Sequence, residues 1–65
     1  MLITSLINLY VKKFNAAGIN NSLEEIRLMI QEILKIDLAT QLMEKELIIN
    51  ERQKNLIKAA LNFFT

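Results

Sequence analysis

Ala16-Ala17-Gly18-Ile19-Asn20-Asn21-Ser22-Leu23-Glu24-Glu25-Ile26-Arg27-Leu28-Met29-Ile30-Gln31-Glu32-Ile33-Leu34 is the stretch on which the fold of this 65-residue chain turns. It holds the single glycine, a helix-start signal and the longest amphipathic pattern in the sequence. Gly18 has no Cβ and so can take the left-handed conformation that closes a helix, with Ile19 folding back onto the last turn. Ser22 and Glu25 make a Ser-x-x-Glu capping box, in which each side chain satisfies a backbone amide near the other. Asn20 and Asn21 compete for the cap position. Leu23, Ile26, Met29, Ile30, Ile33 and Leu34 recur at three-to-four spacing and predict a buried stripe. Glu24 with Arg27, and Glu32 with Lys35, are expected to pair across the solvent face. The stretch reads as helix end, tight turn and second helix.

Working outward, the upstream segment predicts a helix that starts at Thr4 or Ser5, whose hydroxyls suit a first-turn cap. Its inward face is Ile3, Leu6, Ile7, Tyr10, Phe14 and Ala17, while Leu9 and Val11 widen the apolar stripe. Downstream, Asp37 is placed to cap a short helix over Leu38 to Met43, with Leu38, Leu42 and Met43 turned inward. Glu44 to Glu46 is a charged connector. Leu47, Ile48 and Ile49 form an apolar run, β-branched at its two isoleucines, which could extend as a brief strand but is read as a staple, because Ile49 precedes a second capping box made by Asn50 and Gln53. A last helix runs from Glu51 to about Phe64, with Leu56, Ile57, Ala60, Leu61 and Phe64 along one side. Ala59 and Phe63 spread its apolar surface further round than one contact needs.

Composition narrows the class. With no proline and one glycine, little interrupts helix formation, and a hydrophobic fraction of 52% can supply a core. The expected fold is all-α: a small bundle of four to five helices, mixed orthogonal and up-down, in a single domain over residues 1–65. A chain this short buries only about 60% of its unfolded surface, and it has no cysteine for a disulfide. Packing, oligomerisation or attachment to a larger protein must stabilise it. The aromatic pair at the end, Phe63 and Phe64, points to one domain of a longer protein and to an interdomain or partner contact. It equally permits self-association of the module.

The same residues argue against chemistry in the chain itself. There is no His and no Cys, and the net charge is +1. Ser5 and Ser22 have no base to activate them, and no glycine-rich loop cradles a phosphate. Glu24/Glu25 and Glu44/Glu46 are read as capping and solvation, because adjacent helical residues face different ways. No catalytic, cofactor-binding or metal-ligating residue is expected. A helix-turn-helix DNA reader shares the turn, but its recognition helix would offer Arg, Lys, Asn or Gln where this chain offers Leu23, Glu24 and Glu25. Neither nucleic acid nor membrane is the expected partner, and a cytoplasmic location is expected.

The organising stretch also carries a resemblance. Ala17-Gly18-Ile19-x-Asn21-x-x-x-Glu25, followed by Leu28, Met29, Ile30, Ile33 and Leu34, resembles the N-terminal helical domain of the HemK family, the release-factor glutamine methyltransferases. The order of short helix, acidic turn and final helix agrees as well. The chain differs in having Ser22 where proline is common, Ile26 in place of a small residue, Lys35 where a glycine follows the Leu, and Asn62-Phe63-Phe64 in place of an Arg-Arg close. The resemblance implies a five-helix-type bundle attached through a linker to a Rossmann-like catalytic domain that binds S-adenosylmethionine and carries an Asn-Pro-Pro-Tyr motif, neither of which is in this sequence. It implies a bacterial peptide chain release factor as the protein substrate, methylated on the glutamine of its Gly-Gly-Gln loop, with this chain helping to position it. The competing expectation is a free-standing helical interaction module that dimerises around Phe63 and Phe64; a DNA-binding bundle ranks third.

Overall fold

The computed structural model describes residues 1–64 and places four helices in the order α1 (Ile3–Ala16), α2 (Ser22–Leu34), α3 (Leu38–Met43) and α4 (Glu51–Phe63). α1, α3 and α4 each pack against α2. The expected all-α bundle is therefore realised with four helices and α2 at its centre. None of the described helices is long and apolar enough to cross a membrane.

The α1–α2 turn forms by the route that the glycine implies. Gly18 adopts a φ of +80°. Its N–H donates to the Asn15 carbonyl, and the Ile19 N–H reaches back to the Phe14 carbonyl, both at 3.0 Å. This is the Schellman arrangement, which satisfies the last carbonyls of α1 and folds Ile19 onto the core beside the buried Phe14. The start of α2 differs from expectation, because the Ser22–Glu25 capping box does not form. Asn21 occupies the cap position in the left-handed region (φ +57°) and makes no side-chain cap bond. Ser22 is already helical and buried, and its hydroxyl is drawn away from Glu25: it lies 2.5 Å from Asn15 Oδ1 and 3.0 Å from the Ile19 carbonyl. Its one proton serves the inside of the turn.

α1 starts at Ile3, one or two residues before the expected caps at Thr4 and Ser5. The Ile3 amide finds a tertiary acceptor instead, the Leu47 carbonyl at 2.9 Å. The Ile49 N–H in turn donates to the Met1 carbonyl at 2.9 Å, so Leu2 and Ile48 form an isolated antiparallel bridge. The apolar run before α4 thus pairs briefly as extended chain while also burying Ile49. Tertiary satisfaction of an orphan amide is as good as a side-chain cap. At α4 the expected box is complete: the Gln53 N–H donates to Asn50 Oδ1 at 2.8 Å, and the Asn50 N–H donates to Gln53 Oε1 at 2.9 Å.

The core consists of Ile3, Leu6, Ile7, Tyr10 and Phe14 from α1, Ile26 and Ile30 from α2, Ile49, and Ile57 and Leu61 from α4. Each such side chain contributes roughly 1.5–3 kcal/mol by leaving water. Met29, Ile33 and Leu34 pack at the core's edge, but Leu23 and Ala17 stay exposed. The expected Glu24–Arg27 and Glu32–Lys35 ion pairs are not formed; among the described residues the ion pair is Lys54–Glu51 at 2.6 Å.

α3 is turned the other way from expectation. Asp37 caps it as foreseen, accepting from the Thr40 N–H at 2.8 Å. Yet Leu38, Leu42 and Met43 face outward, Met43 with 82% exposure, and the buried residue is Gln41 with 2%. The reason lies in the connector: the Gln41 amide nitrogen donates to the Arg27 carbonyl at 3.0 Å and to the Ile36 carbonyl at 2.9 Å, fastening α3 to α2. A six-residue helix has too little apolar surface to set its own register, so these bonds set it.

Two outcomes follow from these local geometries. Gln41→Ala is expected to lower unfolding free energy by about 1–3 kcal/mol, since it strips buried carbonyls of a donor, while Leu42→Ala stays within about 0.5 kcal/mol; equal losses in urea denaturation would show that Leu42 is the packed residue. Lys35 closes α2 at φ +59°, so Lys35→Gly is expected to stabilise the chain by roughly 1 kcal/mol in the same measurement. A loss there would mean that Lys35 makes compensating contacts.

Candidate interaction surface

The polar groups inside the bundle are placed for structure. Tyr10 is fully buried in α1 and its hydroxyl donates to Asn62 Oδ1 on α4 at 2.7 Å, tying together the two helices that flank α2. Lys13 Nζ sits 4.9 Å from the centre of the same ring, within reach of its π face. Burial raises the Tyr10 pKa above its ordinary value, and the bond to Asn62 offsets only part of this. The phenol stays protonated and is a poor base. Ser22 faces an amide oxygen and a carbonyl, with no basic group to take its proton. Gln41 Oε1 and Arg27 Nη1 are buried without a partner and lie on the two elements that the Gln41 amide joins.

The acidic residues singled out from the sequence do not converge. Glu24, Glu25, Glu44 and Glu46 are all exposed, and among the described residues no three His, Cys, Asp or Glu side chains come together to hold a metal ion. Glu25 serves neither a cap nor a site.

What the surface does present is apolar. Phe63 is 86% exposed and Phe64 59%, with their rings in an edge-to-face pair 5.9 Å apart. Both lie outside the core; Phe64, expected along the packed side of the last helix, is exposed instead. Leu56, expected with Ile57 and Leu61 along the packed side, is instead exposed, about two turns before Phe63. A second apolar area lies where α2 meets α3: a groove of about 290 Å³ lined by Glu24, Arg27, Leu28, Gln31 and Leu38. Gln31 Oε1 accepts from the Leu38 N–H at 3.2 Å and so holds the groove's two sides together. Reading Leu38 as core hid this groove in the sequence; only the inverted register of α3 exposes it. Gly18, Asn50 and Gln53 hold the positions expected of them, and Ser22 serves the turn without Glu25.

The chain matches no family model, no curated protein and no solved structure.

The Tyr10–Asn62 link has a pH signature. Because the folded pKa of Tyr10 lies above the unfolded value of 10.0, the stability tied to the neutral phenol is fully present below that pH and is lost as pH rises through the folded value. Tyr10→Phe is expected to cost about 1 kcal/mol near neutrality and to flatten part of the stability loss above pH 10. An unchanged alkaline profile in the variant would show that other groups carry the loss.

Proposed function

We propose that this helical module positions a protein substrate for an S-adenosylmethionine-dependent glutamine methyltransferase, the substrate being a bacterial peptide chain release factor that presents its Gly-Gly-Gln loop. The supporting observation is the backbone at two turns. Gly18, in the Ala-Gly-Ile element of the resemblance, takes a left-handed φ of +80°. Lys35 stands where that family has a glycine after its Leu run, and it also takes a left-handed φ, +59°. A non-glycine residue bears a cost of roughly 1–2 kcal/mol there, so the conformation is a demand of the frame and not a preference of lysine. A chain sharing the turn-helix-turn frame of that family would need it at both places.

The module's surface agrees with positioning. It offers Leu28, Leu38, Leu56 and Phe63 outward, while its buried hydroxyls have no activating base. In this reading S-adenosylmethionine and the methyl transfer belong to a second, catalytic domain. A free-standing interaction module is the second reading, favoured by the exposure of Phe63 and Phe64. DNA binding gains no support, because Glu24 and Glu25 sit exposed in the first turn of α2, where phosphate would be repelled.

Titrating the isotope-labelled chain with a purified bacterial class I release factor tests the first reading. Amide shifts confined to one contiguous surface, retained when only the Gly-Gly-Gln loop is deleted, are expected if the module grips the body of the factor. Spectra unchanged at a large excess of the factor would overturn it.

A further inference from the structure

α4 carries two faces, and the core uses one of them. Ile57 and Leu61 are buried against the bundle. On the opposite side Arg52, Leu56, Ala59 and Phe63 are all exposed. Their spacing is four, three, four, the interval at which residues of one helix face a second helix continuously. None of the four is engaged by another helix strongly enough to be covered, and Arg52 makes no ion pair among the described residues.

That spacing reads the same from either end. A two-fold axis crossing between Ile57 and Lys58 sets each residue against the one equally far on the other side. We infer that the chain forms a two-fold dimer by antiparallel packing of α4 against α4 of a second copy. Leu56 then seats over the partner's Ala59, a large side chain into the gap above a small one, and Arg52 lies on the face of the partner's Phe63, a cation against an aromatic ring. Phe64, stacked edge-on against Phe63, backs that ring. Any helix face alternates by threes and fours, so the spacing alone would suit any helix; what favours a second copy is that the mirrored positions are unlike and complementary, large with small and cation with ring, and that both complementarities hold twice by symmetry. A parallel pair would instead set Arg52 against Arg52. In the antiparallel pair the two arginines stand about 16 Å apart along the helix, beyond the screening length at physiological salt.

The area sets the strength. A standard interface takes about 800 Å² per partner, which is roughly a fifth of the 4411 Å² that this chain exposes. A seam of about 16 Å reaches only the low end of that class. The dimer is therefore weak and concentration-dependent. The inference does not rest on the methyltransferase reading and survives its failure.

Sedimentation equilibrium of the chain across the micromolar range tests it, with a reversible monomer–dimer equilibrium expected. Ala59→Glu, at an exposed helical position, should leave the melting temperature unchanged and abolish the dimer. Phe63→Ser should do the same, and Arg52→Ala should weaken association about two- to fivefold. Orientation is read separately: the chain has no cysteine, so a mixture of Leu56→Cys and Ala59→Cys variants under mild oxidation should give chiefly the mixed disulfide. A wild-type monomer throughout, an Ala59→Glu variant that dimerises like wild type, or a predominance of the symmetrical disulfides would each overturn the inference.

Discussion

The packing of α1, α3 and α4 on the single helix α2 is the constraint on which the rest of the molecule depends. Ile26 and Ile30 are wholly removed from solvent, and α1, α3 and α4 all lean on the helix that carries them. In a chain of 65 residues no second core can compensate. The position of every other element therefore reduces to how it reaches α2. α1 reaches it through the Gly18 turn, α3 through the Gln41 amide, and α4 by burying Ile57 and Leu61 in the shared core.

Polar bonds decide what greasy stripes leave open. Apolar contact is not directional, so a helix with a wide apolar arc can roll about its axis at little cost. Here the rolling is stopped by single groups: Tyr10 to Asn62 fixes α1 relative to α4, Ser22 closes the inside of the first turn, and Gln41 sets the register of α3. The ends are held in the same fashion. The backbone bonds joining Met1 and Ile3 to Leu47 and Ile49 tie the start of the chain to the connector before α4. These few contacts turn a collapsed set of helices into one arrangement.

The same economy shapes the surface. Three helices around one central helix leave apolar side chains that the core has no room for, among them those on the outer face of α4 and in the groove between α2 and α3. Both functional readings, the methyltransferase accessory and the interaction module, draw on this property; they differ in what the surface meets.

The fold class was legible in the residues alone, because a chain with one glycine, no proline and repeated three-to-four apolar spacing has few alternatives to packed helices. The Gly18 turn, the Asp37 cap, the Asn50–Gln53 box and most of the core followed from local chemistry, in which the partners lie within a turn of each other. The exposure of Phe63 was legible too, since α4 has more apolar surface than one contact can use. Three features needed the tertiary structure. The start of α1 is set by a carbonyl more than forty residues away, the Ser22 hydroxyl is captured by Asn15 across the turn, and α3 faces as it does because Gln41 finds one carbonyl on α2 and one in the connector before α3. For Ser22 the local partner on paper was Glu25, and the tertiary fold offers others; for the Ile3 amide and the Gln41 side chain no local partner is visible at all. Local spacing ranks only the partners it can see, and so the sequence determined which segments are helices while the assembled core decided where they begin and which way they face.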